Sequence, residues 1–280
     1  MRHGPAVPAF PVVIAVPHAG RHYSSSLIAD LALPLSRVQQ LEDRHADLLA
    51  SPAVAQGATA FIAGHARAWI DLNRDPREID PGMIEGVPPV GLIHSSRARN
   101  GLGLVPRNIG GGPSLWRRKF LSDELKRRIA EFHEPYHSAI AEALAAARAH
   151  FGIAILLDCH SMPPIRQSNR DILPPAIVIG DRFGRSADGV FGDMVENIAR
   201  NAGFPYARNT PYAGGYGLDR HGNPRRGIHA LQIEIDRSRY LDPRLDGVGS
   251  GLPEAQALFA QIFRALCEDA QAISRPIAAE

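Results

Sequence analysis

Six short apolar runs, rich in Val, Ile and Leu, recur along the chain: residues 12–16 (VVIAV), 59–63 (TAFIA), 68–72 (AWIDL), 153–157 (IAILL), 176–180 (AIVIG) and 229–235 (HALQIEI). Short runs with so little charge read as strands buried on both faces. Between them apolar residues recur at helical spacing over 36–50, 114–150, 186–202 and 253–274. The 114–150 window must kink or break near Pro135, because proline has no N–H to donate and its ring clashes with the preceding turn. Ser122 is a candidate N-cap where a second helix restarts. Strands alternating with helices predict the α/β class, with a mostly parallel mixed sheet flanked by helices. The last run is different. Leu231, Ile233 and Ile235 alternate with Gln232, Glu234 and Asp236, so one face of that strand is apolar and the other polar.

Two stretches lack either period: residues 75–113 and 209–227 (NTPYAGGYGLDRHGNPRRG). Loops this long in a compact domain are usually functional or disordered. With no internal repeat and no low-complexity linker, the pattern predicts one domain over 1–280 carrying two site-forming loops, with a C-terminal helix at about 253–274.

Composition narrows the class. A chain of 280 residues, 45% hydrophobic and 21% charged, fits a soluble globular protein. The net charge is +2, and the one dense basic cluster, WRRKFLSDELKRR, has acids inside it, so it reads as a solvated helix face and not as a nucleic-acid surface. Two cysteines, Cys159 and Cys267, exclude a disulfide framework and a Cys-rich metal site, which points to a reducing compartment. No apolar run reaches the ~20 residues of a membrane span. PVVIAVPHAG is short, Pro-bounded and without a basic flank, so it reads as a first strand and not a signal peptide.

In open α/β sheets, ligands bind outside the carboxyl ends of strands. Reactive residues collect at those ends here: Pro17-His18 after VVIAV, Asn73-Arg74 after AWIDL, Asp158-Cys159-His160-Ser161 after IAILL, and Glu234 in the last strand. Strand alternation puts Asp158 and His160 on one face and Cys159 on the other, which disfavours a Cys/His nucleophile pair. Ser161 lacks the small neighbours of a nucleophile elbow. His160 suits a metal ligand, with Asp158 orienting its ring, and His18 is the natural second ligand. For a third, LEDRHADLL offers Glu42, Asp43, His45 and Asp47. On a helix Asp43 and Asp47 share a face at i, i+4, and Asp43 ranks first. Glu234 is a carboxylate on a polar strand face, suited to take a proton from a water and return it to a leaving amine. Arg74 is a planar fork suited to a substrate carboxylate.

The segments VPHAGRHY, EDRHADLL, IDLNRDP, EPYH, LLDCHSMPP, TPYAGGYGLDRHGNP and GIHALQIEIDRS, in that order over about 12–240, resemble the N-formylglutamate amidohydrolase family. That family is similar in turn to zinc carboxypeptidases and aspartoacylase. The resemblance implies a zinc-carboxypeptidase-like (phosphorylase/hydrolase-like) fold and one Zn²⁺ per chain, with Mn²⁺ or Co²⁺ as other occupants of an N/O site. It also implies a small-molecule substrate, N-formyl-L-glutamate, cleaved to formate and glutamate in cytoplasmic histidine degradation. His18, Asp43 and His160 would hold the metal and Glu234 would move the proton. Asn73 and Arg74 would bind one substrate carboxylate, and Arg67 or Arg220 the other. The Gly214-Gly215 loop would close over substrate, with Arg220 or His221 reaching it. Carboxypeptidases place a Glu three residues after the first His; here that position is Arg21, so the third ligand comes from elsewhere. A deacylase for another N-acyl amino acid and a non-catalytic binder of acidic ligands are the alternative expectations.

Overall fold

The computed structural model describes residues 1–87, 89–167 and 173–274. In chain order the elements are β1 (Arg2–His3), β2 (Val12–Val16), α1 (Ser25–Asp30), α2 (Leu35–Val38), α3 (Ala46–Ala55), β3 (Thr59–Ile62), β4 (Ile84–Glu85), α4 (Ser96–Arg99), β5 (Phe120–Leu121), α5 (Ser122–Arg128), α6 (Glu134–Phe151), β6 (Ala154–Met162), β7 (Ile177–Gly180), α7 (Gly189–Asn201), β8 (Tyr206–Arg208), α8 (Tyr216–His221), β9 (Ile228–Asp236) and α9 (Leu252–Ser274). They fall into two compact units: Met1–Val16, His45–Ile62 and Ile140–Glu280 form one, and Pro17–Arg44 with Ala63–Ala139 the other.

The first unit holds a seven-stranded sheet in the order β1-β3-β2-β6-β9-β7-β8. Pairs β2/β3, β2/β6, β6/β9 and β7/β8 are parallel, whereas β1/β3 and β7/β9 are antiparallel. This is the mostly parallel mixed sheet that the apolar runs predict. Every residue of β2, β6 and β7 is buried, as expected of strands covered on both faces. Helices α3 and α9 pack on each other and against β2 and β6, while α7 packs on α9, β7 and β8. Asp188 caps α7 by accepting from the Val190 N–H, which supplies one of the orphan donors of the first turn.

The second unit has its own core, including Leu27, Leu31, Ile70, Leu104, Trp116 and Phe120. The buried Arg128 guanidinium lies 3.7 Å from the Trp69 ring centroid and bonds the Trp69 carbonyl and Glu124.

Several expectations need correction. The helix over 36–50 is broken: α2 stops at Val38 and α3 starts at Ala46, because His45 sits at φ 59° in the left-handed region. Asp43 and Asp47 therefore do not share a helical face. Residues 68–72 are not a strand. Their apolar side chains fill the second unit's core, but the backbone bonds go elsewhere, with Asp71 N donating to Leu104 O and the Leu72 carbonyl meeting His137. Residues 114–121 are not helical, because Leu115 and Arg117 pair with Arg107, Ala32 and Asp30. Ser122 is the first residue of α5, and Leu121 holds the cap position. A π-helical turn over Ile129–His133 then carries the chain to Pro135; the wider turn absorbs the bond that proline cannot make. Finally, 209–227 is not wholly irregular, since it contains α8.

Candidate active site

His18 stands two residues beyond β2, stiffened by Pro17. A Cβ at Gly20 would sit 1.9 Å from the His65 carbonyl oxygen, so the PHAG turn closes only with glycine there. The His18 carbonyl accepts from the Asp43 N–H at 3.0 Å, and Asp43 Oδ2 lies 3.4 Å from His18 Nδ1. The other ring nitrogen, Nε2, is 2.7 Å from Asp71 Oδ1.

Asp71 is fully enclosed. Its Oδ1 also accepts from the Asn73 N–H at 2.9 Å, and its Oδ2 accepts from Arg67 Nε at 2.8 Å, with Arg74 3.8 Å away. Burial alone would raise its pKa, but Arg67, Arg74 and His18 outweigh this and hold the carboxyl well below the ordinary carboxylate range. An ionised carboxylate only accepts, so His18 Nε2 donates to Asp71, and Nδ1 is the ring nitrogen turned to Asp43.

In the other unit, β6 and β9 run parallel with His160 opposite Glu234 and Asp158 opposite Gln232. Asp158 and His160 share a face, with His160 Nε2 3.0 Å from Asp158 Oδ2 and both side chains 2% exposed. That oxygen has no partner of hydrogen-bonding geometry. Cys159 points the other way, its thiol 3.8 Å from the Ala46 carbonyl. Glu234 Oε1 accepts from Gln232 Nε2 at 2.9 Å. Ser161 Oγ accepts from buried Arg237.

The ligand atoms of His18, Asp43 and His160 all lie within 4.8 Å of one another, and all three residues are buried. Two imidazoles and a carboxylate are an N/O donor set of the kind that binds zinc. The Nδ1–Asp43 separation is longer than a hydrogen bond, as suits two donors turned to a common ion. The group can hold a metal. Among its neighbours, Glu42 is engaged by Tyr23 and Arg44, and Asp47 lies in the first turn of α3.

Other candidates are placed differently. Arg74 Nε and NH1 are tied to the carbonyls of Leu102 and Asn73 at 2.8 and 2.7 Å, and burial brings its guanidinium down to about 10. It braces the Asp71 loop and does not present a fork to substrate. Arg67 keeps 17% side-chain exposure beside Asp71. Gly214 sits at φ 110°, where a Cβ would meet Leu218 at 2.4 Å, and Gly215 caps α8. Arg220 and His221 line a cavity with Gly152 and Ile228, at the amino ends of β6 and β9. His160 lies six residues further along β6, about 20 Å at 3.3 Å per residue, so neither reaches it.

The fold and donor set define an α/β protein with a candidate metal centre in which carboxylates surround two histidines. Residues 10–241 match the family model for N-formylglutamate amidohydrolase, and the chain belongs to that family. It is 29% identical over 235 residues to an N-formylglutamate deformylase of Pseudomonas aeruginosa, covering 83% of this chain and 82% of the relative. An N-formylglutamate deformylase of Pseudomonas putida is 28% identical over the same shares. The crystal structure of N-formylglutamate amidohydrolase from Ralstonia eutropha superposes with a TM-score of 0.89 at 30% identity, covering 97% of this chain and 98% of that one.

Asp71 escaped the reading of the sequence. The signal was present: an acid inside an apolar run, with Arg67 four residues before it and Arg74 three after.

Proposed function

We propose that this chain is an amidohydrolase that cleaves N-formyl-L-glutamate to formate and L-glutamate, using one divalent ion, zinc, held by His18, Asp43 and His160. The observation that carries this reading is the buried His-Asp-His group in a member of this family. When bound, the ion supplies Lewis acidity that polarises an amide carbonyl and makes a water more acidic.

The chain's own residues supply the rest. Asp71 keeps the proton on His18 Nε2 and so turns Nδ1 towards the ion. Asp158 lies against the His160 ring and orients it. Glu234, steadied by Gln232, takes the proton of the attacking water and returns it to the departing nitrogen, which leaves as an amine. Arg67 is the cation we assign to a substrate carboxylate, assisted by Asn73, because Arg74 is held by backbone carbonyls.

Purified protein should carry close to one zinc per chain and release formate from N-formylglutamate, and chelation should abolish turnover until zinc is restored. Activity that survives chelator with no metal bound would overturn the metal reading. Bound zinc with no formate release, but with turnover of another N-acyl amino acid, would overturn the substrate.

A further inference from the structure

At the amino ends of β6 and β9, far along both strands from His160 and Glu234, is a cavity of about 530 Å³. Arg148 enters it from the last turn of α6, Arg220 and His221 from the last turn of α8, and Arg226 from the 3-10 turn before β9. Leu144 and Ile228, with alanines of α6, form an apolar wall. Among the described residues, no Asp or Glu lines it.

Several guanidiniums of this chain meet carboxylates: Arg67 with Asp71, Arg118 with Asp30 and Glu124, Arg182 with Asp219, and Arg208 with Asp181. The three at this cavity are solvent-exposed and meet none among the described residues. Among the described residues, the side chains of Arg148, Arg220 and Arg226 take part in none of the ion pairs or hydrogen bonds, yet all three converge on one cavity. Helix ends do not neutralise them. A helix C-terminus carries roughly half a negative charge, so α6 and α8 together offset about one of the three positive charges.

We propose that this cavity binds a small organic oxyanion bearing at least two negative charges on a compact apolar body. Guanidinium forks match carboxylate and phosphate oxygens bidentately. A volume of this size suits an organic ligand more than a bare ion, and an apolar wall with a few converging polar groups is how such sites are built. The site is separate from the metal centre: it lies at the other end of the strands and shares no residue with it.

The test uses the full chain with metal bound and two probes of like shape, phthalate and phenyl phosphate, titrated calorimetrically at an ionic strength fixed with sodium chloride. The expected result is saturable binding of at least one probe, one per chain, with a Kd below about 1 mM and a rise in melting temperature. Binding of phthalate alone assigns a dicarboxylate, binding of phenyl phosphate alone a phosphate ester, and binding of both a site that reads charge. Arg148→Gln with Arg226→Gln should weaken binding at least tenfold and leave formate release without probe unchanged. Arg148→Lys, which keeps the charge and loses the fork, should weaken it less. Binding no stronger than that of matched chloride, or equal binding by wild type and the double variant, would overturn the proposal and leave the arginines as solvated helix-end charges.

Discussion

Asp71 and Asp158 are both carboxylates buried against a histidine, and they are held in opposite ways. Asp71 has each oxygen engaged, by His18, the Asn73 amide and Arg67, with Arg74 close by. Asp158 has one oxygen 3.0 Å from His160 that lacks hydrogen-bonding geometry. The difference lies in the local backbone. Asp71 sits in an irregular segment whose next residues fold back to offer an N–H and a guanidinium. Asp158 sits in mid-strand, where its own N–H and carbonyl belong to the ladder and its side chain meets only what its face presents. A loop can wrap a carboxylate, whereas a strand can only aim one. Asp71 therefore fixes both the proton position on His18 and the loop around it, while Asp158 can do no more than orient a ring.

Glu234 marks the upper end of this scale, because we assign it a proton and not a position. Glu234→Gln should lower formate release about 10²–10⁴-fold, the usual worth of a general acid–base group, with zinc per chain unchanged. A variant within a few-fold of wild type would remove Glu234 from its role and leave the two aspartates as the carboxylates that matter most.

Asp71→Asn comes next. It removes the countercharge from Arg67 and Arg74 and leaves a single amide oxygen to accept where the carboxylate now serves His18, the Asn73 amide and Arg67. Loss of one partner from a buried ion pair costs about 3–5 kcal/mol, which denaturant unfolding would register, and zinc affinity should fall about 10–100-fold. Asp158→Asn tests the contrast directly. With one oxygen already unpartnered, unfolding stability should change by less than about 1 kcal/mol, and zinc affinity should drop only to about the tenfold end of that range. Equal losses in the two variants would break the comparison.

The same contrast between loop and strand decides what could be read from the sequence. Strands β2, β3, β6, β7 and β9 were legible to within a few residues, because a run of Val, Ile and Leu buried on two faces leaves a continuous apolar signal. So was the pairing of Asp158 with His160, since alternation in a strand fixes which side chains are neighbours. The break at His45 was not legible, because a left-handed φ at a non-glycine leaves no mark in the hydrophobic period. Residues 68–72 failed for the converse reason: their apolar content is that of a strand, but their hydrogen bonds are those of a loop. That error hid Asp71 and made Arg74 look like a strand-end arginine turned to substrate. Arg220 was misplaced because its loop follows the glycine pair in sequence, yet α8 carries it to the amino ends of the strands.

Cys159 carries the smallest expected effect and the cleanest check on alternation. It lies between Asp158 and His160, is fully buried, and its thiol faces the Ala46 carbonyl at the start of α3. Cys159→Ala removes one buried atom from the face opposite the chemistry. The loss in stability should be about 1 kcal/mol, by the transfer and cavity costs of deleting a methyl-sized group, while kcat/KM for formate release stays within about twofold and zinc content is unchanged. Thermal unfolding and a formate assay on the same preparation separate the two effects. If a folded, zinc-loaded variant lost tenfold or more in rate, strand geometry would have failed at the one residue where it turns a reactive side chain away. The contrast between an aimed aspartate and a wrapped one would then lose its basis, because the same alternation places Asp158.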